Sequence, residues 1–87
     1  MPKVNTRANV YDYAEAITPS NSVDLDWPTE GIYVGGAGTV VAVQVHPTTG
    51  TPTAATYVGV AAGSILPIRA VRVNSTGTTA TSLLALY

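Results

Sequence analysis

Residues 31–67 form 37 consecutive positions without a charged side chain, in a chain of only 87 residues. In so small a protein such a run cannot be wholly buried. Its residues are chiefly Val, Thr, Ala and Gly, a mixture that favours short β-strands over a charged helical bundle. The run therefore reads as β-structure whose exposed part is meant to be covered by neighbours.

The charges that do exist are few and grouped. They make up 10% of the chain and leave a net charge of −1, against about 25% in an ordinary soluble domain. Lys3, Arg7, Asp12 and Glu15 lie near the start, Asp24, Asp26 and Glu30 before the neutral run, and Arg69 and Arg72 after it. Four scattered cations argue against nucleic-acid binding, because duplex affinity comes mainly from neutralised phosphates. The chain has no cysteine, which removes a disulfide framework and any Cys-based zinc site. No apolar run is long enough for a membrane-spanning helix, and the start Met1-Pro2-Lys3-Val4-Asn5 lacks the apolar core of a secretory leader. A core of this size barely offsets the entropy of ordering the chain. Few charges remain to keep a lone monomer soluble, so an oligomer or larger assembly is expected.

Turn residues punctuate the chain at roughly ten-residue intervals, the spacing of a small antiparallel sandwich or barrel. Strands are expected over 15–18, 22–26 (with Val23 and Leu25 inward), 32–34, 39–46, 53–60, 64–73 and 80–87. Gly35-Gly36-Ala37-Gly38 reads as a tight β-turn using positive φ. Pro67 interrupts the 64–73 strand and belongs at an edge or bulge. No segment carries a sustained helical stripe. The expected fold is all-β, a small antiparallel β-sandwich or barrel of six to seven short strands. It comprises an extended N-terminal arm over 1–14 and a single β domain over 15–87.

Catalytic chemistry finds little support. The glycine run lacks the Lys-Ser/Thr of a phosphate loop and is followed by a strand, not the helix of a dinucleotide site. His46 is the only histidine, at a strand-to-loop junction, and reads as an ordinary loop residue. Asp24 and Asp26 fall about 7 Å apart on one face of the expected strand, a spacing a glycosidase pair could use, but read as a solvated face. Arg69 and Arg72 fall on opposite faces of the 64–73 strand, each a candidate for an ion pair within or between subunits. Tyr33 and Tyr57 belong in the core. Trp27 in a turn and Tyr87 at the last position are better placed for a partner, as are Tyr11 and Tyr13 in the arm. Trp27 with the 47–52 loop also suits stacking on a sugar.

Three segments taken in order carry a resemblance. They are Ala16-Ile17-Thr18-Pro19-Ser20 with Ser22-Val23-Asp24-Leu25; Gly31-Ile32-Tyr33-Val34-Gly35-Gly36-Ala37-Gly38; and Gly63-Ser64-Ile65-Leu66-Pro67-Ile68-Arg69 through Arg72-Val73, continuing to Thr76-Gly77-Thr78-Thr79-Ala80-Thr81 and Ala85-Leu86-Tyr87. Over about residues 16–87 the chain resembles the small head-decoration and spike-base proteins of tailed phages and gene-transfer-agent particles. The 46–53 stretch departs from that pattern in length and proline content, and the arm lies outside it.

The resemblance implies a structural virion protein on the outer surface of the capsid, a decoration or cement protein that stabilises capsomer junctions. Its expected partners are the major capsid protein and further copies of itself, a trimer rather than a pentamer. The alternatives are a pentameric spike base carrying a fibre protein at capsid vertices, or a carbohydrate-binding host-attachment module. No enzymatic activity, cofactor, metal, nucleic acid or membrane is expected. The residues expected to meet the capsid or another copy are Tyr11, Tyr13, Trp27, Arg69, Arg72 and Tyr87.

Overall fold

The computed structural model describes residues 10–87; residues 1–9, most of the expected arm, lie outside the described residues. The described residues form seven strands: β1 (Ala14–Ala16), β2 (Gly31–Gly36), β3 (Gly38–Val45), β4 (Pro52–Val60), β5 (Ser64–Leu66), β6 (Arg72–Val73) and β7 (Thr81–Leu86). They form two antiparallel sheets, one ordered β1-β7-β2-β5 and the other β4-β3-β6. The all-β expectation and the strand count hold.

The core lies between the sheets. Ile32, Val34, Leu83 and Ala85 come from the four-stranded sheet; Val40, Ala42 and Val73 come from the three-stranded sheet. These are alternate residues of their strands, as a two-layer arrangement requires. Strand β3 is buried on both faces over 40–43. On the outer face the 74–79 loop covers it, with the Val41 amide donating to Thr78 Oγ1 and the Asn74 amide donating to the Val41 carbonyl.

Three expectations about turns and strands need correction. First, Gly35-Gly36-Ala37-Gly38 is not a hairpin turn. Strands β2 and β3 belong to different sheets and are separated by Ala37 alone, so the chain turns a corner there. Gly35 and Gly36 keep negative φ. β7 passes too close to Gly35 for a side chain, a Cβ there lying 2.7 Å from the Ser82 Cβ, and the residue before β7 crowds Gly38, where a Cβ would lie 2.6 Å from the Ala80 nitrogen.

Second, 64–73 is two strands. Strand β5 stops before Pro67, whose missing N–H ends the ladder, and the chain crosses to the other sheet before β6. Arg69 and Arg72 therefore do not share a strand. Third, 22–26 is not a strand. Ser20 Oγ accepts from the Ser22 and Val23 amides and bends the chain. Val23 is exposed, whereas Leu25 does pack against the core. This segment lies along the free side of β6, held by the Ser20 amide on the Val73 carbonyl and the Leu25 amide on the Val71 carbonyl.

Candidate assembly surface

The aromatic residues singled out in the sequence converge at one end of the four-stranded sheet. Tyr87 follows β7, and its backbone is bonded to the segment before β1: the Asp12 and Tyr13 amides donate to the Tyr87 carbonyl, and the Tyr87 amide donates to Tyr13. This pairing stacks the Tyr13 and Tyr87 rings, centroids 6.4 Å apart and planes within 18°. Tyr13 is 60% exposed and Tyr87 only 8%, so Tyr13 covers Tyr87 and faces outward. The Tyr11 hydroxyl lies over Gly31, where a Cβ would come within 3.1 Å of it. Trp27 is half exposed.

The Tyr87 hydroxyl is buried, near the Trp27 backbone but with no well-formed hydrogen bond to a described residue. Burial raises its pKa above the ordinary 10.0, the Glu15, Asp26 and Tyr13 charges add to the rise, and the Trp27 backbone lowers it somewhat. A tyrosine with a raised folded pKa contributes stability that is complete below the unfolded value. That contribution is lost as pH climbs from about 10 through the folded value, because the unfolded chain releases its proton first. Tyr87→Phe is expected to flatten this alkaline loss relative to the native chain. Near neutral pH the same variant should be as stable or up to about 1 kcal/mol more stable, since a buried hydroxyl without a well-formed hydrogen bond is removed. Urea midpoints of both chains from pH 7 to above pH 10 check the sign.

The two arginines stand apart from this cluster. Arg72 on β6 donates to Asp24 at 2.9 Å and to Asn74. With Asp24 61% exposed, the pair contributes at most about 1 kcal/mol. Arg69 is exposed in the crossover between β5 and β6 and makes no ion pair with a described residue. Asp24 and Asp26 line a shallow groove with Glu15, Ala16, Thr18, Val23 and Leu25; neither Trp27 nor the 47–52 loop is part of it. His46 braces its own loop, its Nδ1 accepting from the Thr48 and Thr49 amides.

Two uncharged surfaces were not assigned from the sequence. One is a row across the outer face of the four-stranded sheet, where Ala16, Leu84, Tyr33 and Ile65 stand directly opposite one another. All four are at least partly exposed, so Tyr33, expected in the core, instead stands on the outer face, because the alternation of β2 turns Ile32 and Val34 inward. The other is β4, bonded on one side to β3 and on the other to no strand of the described residues. Six of its nine residues are exposed, and Val58 is 79% exposed. The charge-free run contains β4 and, in the row, Tyr33 and Ile65; it pointed to a covered surface but not to its place. Thr29, fully buried and bonded to both Ile68 and Ala70, carries no signal in the sequence.

No protein-family model and no curated protein matches the chain. Among solved structures it is similar to a chain in the capsid of a native gene-transfer-agent particle, a structure computed with fivefold symmetry. The identity is 37%, the TM-score 0.70, and the match covers 90% of this chain and 84% of the other. This chain belongs to the gene-transfer-agent capsid family. Such breadth means that the likeness extends over most of both chains, not one hairpin. The family resemblance expected from residues 16–87 is thus correct at the level of capsid proteins.

Proposed function

We propose that this chain is a structural virion protein, a decoration or cement protein bound to the outside of a phage-like head, where it reinforces capsomer junctions as a homo-oligomer. The observation that carries this reading is the match to a capsid chain over 90% of the sequence. The molecule's own surfaces support it. The sheet-face row centred on Tyr33 and the free edge of β4 are separate and uncharged. They provide one contact for the shell and one for another copy. Contacts of this kind are weak singly and hold when repeated by symmetry. The Tyr13–Tyr87 stack with Trp27 offers an aromatic anchor of the type enriched at interface centres. Arg69, exposed and unpaired among the described residues, is available to an acidic group of a neighbour.

A pentameric base at the vertices is the second reading, favoured by the fivefold symmetry with which the similar capsid structure was computed. Copy number separates the two: about 60 per particle for one pentamer at each vertex, several hundred for a cement spread over the shell. The direct test adds purified protein to heads assembled without it, then measures co-sedimentation and heat resistance. Bound protein and a higher disruption temperature are expected; heads that pellet without the chain would refute both readings.

A further inference from the structure

We infer that the free edge of β4 is the seam along which copies of this chain join. The inference deepens the proposed function and rests on it for the need of many copies, but the seam itself is argued from the fold.

Strand β4 is the longest in the molecule at nine residues. At about 3.3 Å per residue it spans roughly 30 Å, comparable with the 33 Å long dimension of the protein. Among the described residues it pairs with β3 alone, and none of them pairs with its other side, which presents backbone donors and acceptors along that length. Ala54, Thr56 and Val58 are exposed, while Tyr57 packs toward the core. Val45, opposite Pro52 on β3, is exposed next to them.

Natural edge strands are protected by lysine, proline, bulges or a covering segment. On β4 the proline is at the first position, Pro52. The bulge is at the far end, where β4 advances from Tyr57 to Val60 while β3 moves only from Val40 to Gly38, with Gly59 at φ 72°. Between them, 53–58 has none of these devices. The opposite edge of the same sheet is handled differently. Strand β6 is two residues long and is flanked by the 20–25 segment, which brings Asp24 onto Arg72. Among the described residues the sheet has one charged, covered edge and one neutral, open edge.

The occupant must supply extended backbone and needs no charge. A second copy meets both conditions, since it carries the same neutral edge and nothing on either side repels it. In a protein present in many copies, a bare edge of this length would otherwise pair indiscriminately. Strand β4 against β4 makes a twofold pair, and β4 against another edge makes a head-to-tail ring. The strip buries on the order of 300 Å² per copy from its length and one sheet's thickness, well below the roughly 800 Å² per partner of a stable pair. Association is therefore concentration-dependent, with Val45 and Val58 adding apolar contact.

The test is the mass in solution of the native chain and of T56K/V58K, by light scattering and native mass spectrometry across a dilution series. The native chain is expected at multiples of 8.9 kDa. In the variant, like charges facing across the seam should raise the dissociation constant roughly 100-fold, with an unchanged circular dichroism spectrum. Val23→Lys, on the exposed segment beside β6, should assemble as the native chain does. A native chain that stays monomeric at high concentration overturns the seam, as does a T56K/V58K chain that assembles with native affinity. The same proteins are then mixed with heads. A variant that still assembles but no longer binds heads assigns the edge to the shell and overturns the seam. A native chain that assembles through β4 yet ignores heads sustains the seam and refutes the capsid role.

Discussion

Thr29→Val destabilises the fold by about 3 kcal/mol, although it changes one hydroxyl for a methyl. Thr29 has no exposed surface. Its hydroxyl donates to the Ile68 carbonyl at 2.9 Å and accepts from the Ala70 amide at 3.0 Å, while its own amide donates to the Ala70 carbonyl. One side chain thereby satisfies two backbone groups of the stretch that crosses between the sheets. That stretch has no ladder of its own, because β5 has ended and β6 has not begun. Valine fills the same volume and leaves an N–H and a C=O buried without partners, each costing about 1–3 kcal/mol. Thr29→Ser keeps the hydroxyl and loses only a methyl, a change of about 1 kcal/mol. At about 4–8 °C per kcal/mol for a domain of this size, valine should melt well below serine. Equal melting temperatures, compared at matched protein concentration, would show that the crossover does not depend on the hydroxyl.

Gly38→Ala costs a similar amount, about 3 kcal/mol, through overpacking. A Cβ at this position would meet the Ala80 nitrogen at 2.6 Å, the Thr79 Oγ1 at 2.7 Å and the Ala80 Cα at 2.9 Å. Two of these are backbone atoms at the entry to β7, which cannot swing aside. The same strip is stitched by the Thr39 amide on Thr79 Oγ1 and by the Thr79 and Ala80 amides on the Thr39 carbonyl. Spreading it to admit a methyl group lengthens those bonds and shifts Val40, the first fully buried residue of β3. Gly50→Ala is the comparison. Its φ of 72° disfavours a side chain, but nothing lies within 4 Å, so the cost is about 1 kcal/mol. Urea denaturation of the two variants should rank Gly38 well above Gly50. The reverse order would mean that the corner yields easily and that glycine is not required there.

The two sites differ in how visible they were in the sequence. The glycine run at 35–38 was conspicuous, and its reading as a turn was reasonable because glycine most often supplies positive φ. What it supplies here is room for β7, some forty residues later in the chain. Thr29 had no signal at all: among many threonines, a bridging one is distinguished only by what folds against it. Of the aromatic candidates, Tyr13 and Tyr87 stack, with Tyr87 buried beneath, and Trp27 is half exposed. The arginines did not come together, since the strand that was to hold both divides at Pro67.

Composition and spacing alone established an all-β chain of about seven short strands, and a long neutral stretch too large to be hidden. Those properties are local: alternation, turn residues and charge are written residue by residue. Only the tertiary structure decided which sheet each strand joins, where the chain turns a corner, and which edge is left open. Those depend on partners distant in sequence, as when Ala14 pairs with Leu86 or Asn21 bonds Thr76. Closing such contacts is a property of the whole chain's packing, and no window of the sequence contains both sides of them.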